Sequence, residues 1–168
     1  LGMDLVELQI NIAAGKKLDM DNDKVIPSGH AIEARIYAED PKNDFLPSPG
    51  SIKVLNLPKE GRVDFGVRSG DYVSTFYDPM LGKVIVHAND REEARTKLIC
   101  CLEELKIQGI KTNTDFLSYI LNNEIFRKDI IQITDLDDLA LNFKKLLPNP
   151  TDIVAATLII LNAEAQFK

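Results

Sequence analysis

Between residues 30 and 39 the apolar pattern repeats every second position: Ile32, Ala34, Ile36 and Ala38 alternate with Glu33, Arg35, Tyr37 and Glu39. Successive side chains leave a strand on opposite sides, so this stretch is a strand with one core face and one polar face, the latter carrying a cation between carboxylates. Residues 41–50 place Pro41, Pro47, Pro49 and Gly50 around Phe45 and Leu46, which predicts a rigid loop anchored by those two apolar side chains. Residues 51–57 and 62–67 read as strands, with Ile52, Val54, Val63, Phe65 and Val67 facing inward, and the turn at 58–61 predicts that they form an antiparallel hairpin. Residues 72–76 and 83–87 complete a sheet of about four or five strands.

Helical signals follow. Asp90, with Glu93 three positions on, opens a helix striped by Ala94, Leu98, Cys101, Leu102 and Leu105. Gly109 interrupts the chain, and Thr112 with Asp115 caps a second helix that carries Phe116, Leu117, Ile120 and Leu121 and ends at Asn122 and Asn123. Strands first and helices after predict an α+β fold: a mainly antiparallel sheet with helices packed on it and a helical C-terminal tail. Asp4 with Glu7 starts a short helix that Gly15 stops, and a polar loop, 16–28, leads into the first strand. In the tail, Leu136, Leu139, Phe143, Leu146 and Leu147 make an amphipathic helix, Pro148 and Pro150 break it, and the helix from Thr151 is apolar nearly all round. Such a helix needs cover on several sides. Either it is buried in this domain or its cover lies in sequence outside this stretch; Leu1 in place of Met favours the second, a piece of a longer polypeptide, with a domain at 1–130 and a helical tail at 131–168.

Lys and Arg number 20 against 26 Asp and Glu, a formal net charge of −6, with no basic block. This argues against nucleic-acid binding by phosphate neutralisation. The longest apolar run, at 153–161, is shorter than the roughly 20 residues that cross a bilayer. Cys100 and Cys101 are adjacent and point different ways on a helix, which rules out a disulfide framework or a metal site and suits reduced thiols inside a cell.

No phosphate-binding loop, dinucleotide glycine fingerprint, HExxH, GxSxG or Cys/His metal cluster is present. His30 and His87, at strand ends, read as structural. Tyr77, Asp78, Pro79 and Met80 read first as a turn in which Asp78 accepts backbone hydrogen bonds and Tyr77 and Met80 pack. Arg35, flanked by Glu33 and Tyr37, is by itself compatible with an ordinary ion-paired surface. A planar guanidinium whose rotamer is fixed by a carboxylate on a rigid strand is equally a device for binding a small oxyanion or stabilising charge on oxygen.

Residues 29–41, GHAIEARIYAEDP, and 45–50, FLPSPG, followed by YDPMLGK at 77–83, DREEA at 90–94 and IQGIKTN at 107–113, resemble the C-terminal domain of biotin carboxylase. MDLVE at 3–7 is similar to that family's segment just after its ATP-grasp catalytic strand. GVRSGD at 66–71, leading into YDPM at 77–80, is most similar to the carboxylase subunits of acyl-CoA carboxylases, the 3-methylcrotonyl-CoA enzyme above all. The resemblance implies an enzyme that uses ATP, Mg2+ or Mn2+ and bicarbonate to make carboxyphosphate, then carboxylates N1′ of biotin on a carrier domain. It makes Arg35 the arginine that contacts bicarbonate and the biotin ureido oxygen, with Glu33 and Tyr37 as support and no metal ligand here. It implies as partners an N-terminal ATP-grasp half, a biotin carboxyl carrier domain, a carboxyltransferase subunit and a second copy, and makes the tail at 131–168 the start of a linker or subunit-docking region; charge and apolar-run length point to no nucleic acid and no membrane. ATP and metal residues would precede Leu1, so this stretch alone is expected to bind no cofactor and to be inactive. The expected location is intracellular: cytoplasmic in a bacterium, the mitochondrial matrix in a eukaryote. The alternative is a non-catalytic assembly module whose Arg35 face makes an interface.

Overall fold

A computed structural model of the chain describes residues 2–18, 25–128, 132–144 and 154. In chain order the elements are α1 (Leu5–Ala13), β1 (His30–Tyr37), β2 (Glu39–Asp40), β3 (Leu46–Pro47), β4 (Gly50–Ser51), β5 (Val54–Asn56), β6 (Arg62–Phe65), β7 (Tyr72–Val73), β8 (Met80–Ala88), α2 (Arg91–Glu104), β9 (Lys106–Gln108), α3 (Thr114–Asn122), α4 (Glu124–Arg127) and α5 (Asp135–Lys144). The α+β class and the antiparallel pairing match the sequence pattern.

The largest sheet has the order β1-β8-β6, antiparallel throughout, with Arg35 opposite Lys83 and Lys83 opposite Asp64. Ala34 and Ile36 of β1 and Val84 and Val86 of β8 are buried on one face, where Ala94, Leu98, Cys101 and Leu102 of α2 cover them. Each such large aliphatic side chain contributes roughly 1.5–3 kcal/mol on full burial. Gly82 sits where β1, β8 and β6 crowd: a Cβ there would lie 2.6 Å from the Asp64 carbonyl oxygen and 2.5 Å from the Phe65 ring.

A second cluster joins Phe116 and Ile120 of α3 to Leu139 and Phe143 of α5. Phe45 meets Phe116 edge to face at 5.2 Å and has φ 56°, a left-handed conformation that costs a bulky residue about 1–2 kcal/mol and that this packing offsets.

Several expectations are corrected. Residues 51–57 and 62–67 do not form a hairpin: β5 pairs with β9, and β6 pairs with β8. Local spacing favoured the short turn, whereas β9, a strand hidden at the end of a helical stripe, offers β5 a partner from far along the chain. Instead of one sheet of four or five strands there is a three-stranded sheet with three two-stranded ribbons, among the described residues. Leu46 is exposed, so of the two expected anchors of the proline-rich loop only Phe45 packs. Met80 N–H donates to Asp78 Oδ1 at 2.8 Å as the turn predicts, but Tyr77 and Met80 are exposed rather than packed. The N-cap of α3 is Asn113, not Thr112; the Thr112 hydroxyl instead meets that of Thr114 at 2.8 Å. α1 is capped by Asp4 as expected and buries none of its residues. The helix expected from Thr151 falls, apart from Val154, outside the described residues, as do Leu146 and Leu147.

Candidate functional site

The uncovered face of the β1-β8-β6 sheet carries a row of alternating charge. Strand alternation puts Glu33 and Arg35 on this face, and the register brings Lys83 and Asp64 alongside. Arg35 Nε donates to Glu33 Oε1 at 2.8 Å, Lys83 Nζ lies 3.7 Å from Glu33 Oε2 and 4.0 Å from Asp64 Oδ2, and Arg62 Nε donates to Asp64 Oδ2 at 2.9 Å. Each carboxylate thus stands between two cations, which holds the row in register.

The hydrogen bond from Arg35, ahead of the charge of Lys83, holds the Glu33 carboxyl below the usual carboxylate range. The bond to Glu33, and after it one to Tyr37, raises the Arg35 guanidinium above its ordinary value, so it is a permanent cation. Of the three residues singled out from sequence, the structure therefore brings Glu33, Arg35 and Tyr37 together. The Arg35 side chain is 61% exposed. Water competes for a guanidinium in that position, and strong selection for an anion requires a second surface to cover it.

His87, expected to be structural, has its Nε2 2.9 Å from the Ser28 carbonyl oxygen. Cys101 is buried on the α2 stripe, which pushes its thiol up, and Cys100 is exposed; both are free. No group of three or more His, Cys, Asp and Glu among the described residues is placed to hold a metal ion. A guanidinium fixed by a carboxylate, as Arg35 is, has the chemistry to take a small anion. No described helix is long and apolar enough to cross a membrane.

Sequence reasoning missed Asn113. Its side chain reaches the backbone of β1 on both sides of Ile36, donating from Nδ2 to the Arg35 carbonyl oxygen at 3.1 Å and accepting at Oδ1 from Tyr37 N–H at 2.9 Å. Apart from its place at the end of the IQGIKTN motif, its local signal is an Asn just before a helix, which predicts a cap and nothing more.

The model of the biotin carboxylase C-terminal domain family matches residues 33–138, most of the chain and all of this charged row. The chain belongs to that family. Methylcrotonoyl-CoA carboxylase subunit alpha of Mus musculus, a mitochondrial protein, is 41% identical over 155 residues, 90% of this chain and 21% of the relative. The biotin carboxylase of Halalkalibacterium halodurans is 47% identical over 128 residues, 75% of this chain and 28% of the relative. Among solved structures, the biotin carboxylase domain of Hydrogenobacter thermophilus 2-oxoglutarate carboxylase superposes with a TM-score of 0.81 at 32% identity, covering 88% of this chain and 33% of that one; it was crystallised as a dimer with MgADP, ADP and bicarbonate. This biotin carboxylase C-terminal domain thus spans between a fifth and a third of the length of these relatives.

Proposed function

We propose that this domain supplies the anion-binding arginine of a biotin carboxylase, Arg35, as part of an ATP-dependent ligase that carboxylates protein-linked biotin. The observation that carries the reading is the fixed guanidinium: Glu33 takes Arg35 Nε at 2.8 Å on a rigid strand, and the rest of the group faces out of an open sheet face. Biotin, when its carrier presents it, supplies the ureido nitrogen that accepts the carboxyl group. Arg35 binds the small anion and donates to the ureido oxygen as that oxygen gains charge; Glu33 and Tyr37 orient it. A preorganised donor of this kind is worth about 3–4 kcal/mol in a transition state from which water is excluded.

Exclusion of water requires cover that the described residues do not give this sheet face, and the fitting source is an N-terminal ATP-grasp half, which would also bring the nucleotide and divalent metal. By itself the domain is therefore inactive. A biotin carboxyl carrier domain and a carboxyltransferase subunit complete the partners, and residues 131–168 begin the region that leads to them. The 3-methylcrotonyl-CoA acceptor is favoured because the mouse alignment takes in 90% of this chain against 75% for the bacterial biotin carboxylase, despite lower identity. That acceptor in a eukaryote places the enzyme in the mitochondrial matrix.

The 61% exposure of the Arg35 side chain favours one other reading, an assembly module in which the arginine makes an interface. Biotin- and bicarbonate-dependent ADP release by the complete carboxylase chain separates the two. Under the first reading Arg35→Ala lowers turnover by roughly 100- to 1,000-fold in a protein that still folds and binds ATP. Under the second it weakens subunit association, read by sedimentation, and leaves the turnover of the assembled enzyme nearly unchanged.

A further inference from the structure

We propose that Asn113 is a positioning residue for Arg35: its side-chain amide replaces a missing strand at the free edge of β1 and fixes the backbone that carries the guanidinium. This rests on the reading of Arg35 as the anion-binding arginine.

Among the described residues β1 lies at the edge of its sheet, with β8 on one side only. On an edge strand the carbonyl of one residue and the N–H of the second residue after it point the same way, away from the neighbouring strand. At Arg35 and Tyr37 those two groups are met by one planar amide, the donor to the carbonyl at 3.1 Å and the acceptor from the N–H at 2.9 Å. Only Asn and Gln carry a donor and an acceptor side by side in this way. Asn113 N–H adds a third bond, to the Tyr37 carbonyl at 3.2 Å.

These contacts fall where the other side of β1 is irregular. Ile36 pairs with Gly82 and Tyr37 with Met80, so Leu81 is left over as a bulge. A bulge bends and twists a strand and redirects its side chains. Arg35 is therefore next to a register break on one edge and held by Asn113 on the other.

Asn113 also breaks a local rule in order to do this. It occupies the N-cap of α3 yet makes no side-chain cap hydrogen bond, whereas Asp4, Asp90 and Asn123 at the N-caps of α1, α2 and α4 all do. An Asn cap is ordinarily worth about 1 kcal/mol to its helix. The amide is instead turned toward β1, in a residue that is 8% exposed, where water offers little substitute. The segment leading to it is fixed independently: Lys111 N–H donates to Ser48 Oγ at 2.9 Å and Lys111 Nζ pairs with Asp40. Gly109, at φ +108°, lets the chain pass so close to Ser51 that a Cβ would strike the carbonyl oxygen.

The test uses the complete carboxylase chain and biotin- and bicarbonate-dependent ADP release. Asn113→Ser keeps a capping residue for α3 but is too short to reach both backbone groups. It is expected to lower kcat roughly 10- to 100-fold with the KM for ATP unchanged, since misplacing a reacting group by about 1 Å costs on that order. In an Arg35→Lys background, where a flexible point charge replaces the directional fork, the same change should cost no more than about twofold. A kcat for Asn113→Ser within about twofold of wild type overturns the proposal, as does an equal fold-loss with Arg35 and with Lys at that position. Should Asn113→Ser not fold, Asn113→Asp, which keeps the acceptor for Tyr37 but sets a carboxylate against the Arg35 carbonyl, is read by the same criteria. Arg35→Ala measured alone decides the underlying reading: wild-type turnover there removes the role of Arg35 without reference to residue 113.

Discussion

Arg35 and Arg95 lie on opposite sides of the same sheet, and each is held by a glutamate on its own element. Arg95 of α2 is 6% exposed; Nε and Nη2 form a fork on the two oxygens of Glu92 at 2.8 and 2.6 Å, and Nη1 donates to the Leu121 carbonyl at 2.8 Å. Arg127 adds a further bond to Glu92 at 3.2 Å, so the group ties α2 to α3 and α4. Arg35 is held through Nε by Glu33 and, second, by Tyr37, and its side chain stays 61% exposed. The difference teaches that a buried arginine whose three nitrogens each bond inside the chain is structural, while one oriented by its neighbours and left open to solvent is free to meet something else.

The sharpest way to break this comparison is to exchange the readouts. Arg35→Ala should remove about 3–4 kcal/mol of transition-state stabilisation in the complete carboxylase and leave the melting temperature unchanged. On the covered face, Leu98→Ala, at a position 1% exposed, is expected to destabilise by about 3 kcal/mol in urea titration through loss of apolar contact and a residual cavity. Arg95→Ala should cost about 2–3 kcal/mol in the same titration, because it strands the Leu121 carbonyl and frees Glu92; loss of turnover without loss of stability there would erase the distinction between the two arginines. Glu33→Gln sharpens it from the other side, with less than about 1 kcal/mol of stability lost from an exposed pair but roughly tenfold lower kcat as the guanidinium loses its orientation.

Acid should report the structural side. The hydrogen bond from Arg95, reinforced by Arg127, lowers the Glu92 carboxyl from 4.5 to about 2 in the folded chain. A folded value below the unfolded one means stability that is present above about 4.5 and lost as pH falls toward about 2. Glu33, lowered by Arg35, acts in the same direction. Thermal melts across that window should therefore show falling stability, and Glu92→Gln should flatten part of the fall.

Short-range pattern accounts for what was legible. The alternation at 30–39 gave β1, its core face and the trio Glu33, Arg35 and Tyr37; Asp90 with Glu93 gave the start of α2, where Asp90 Oδ1 accepts from Glu93 N–H at 2.8 Å. Ala94, Leu98, Cys101, Leu102 and Leu105 are all buried, as their stripe predicts. What failed depended on partners distant in the chain. β5 bypasses the short turn that follows it to pair with β9, and Asn113, a plausible cap by local rules, is claimed by a strand 76 residues earlier.

The sequence by itself determined which residues alternate, where helices begin, that the class is α+β, and, through five motifs in order, the family. Period and capping are properties of neighbouring residues, so they can be read along a line. Only the tertiary structure decided which strand edges meet, that one sheet face stays open, that Arg35 is exposed on it, and that the Asn113 amide holds the strand beneath it. Those follow from backbone groups seeking hydrogen bonds and apolar faces seeking cover across the whole chain, where the nearest partner in sequence need not be the one that packs.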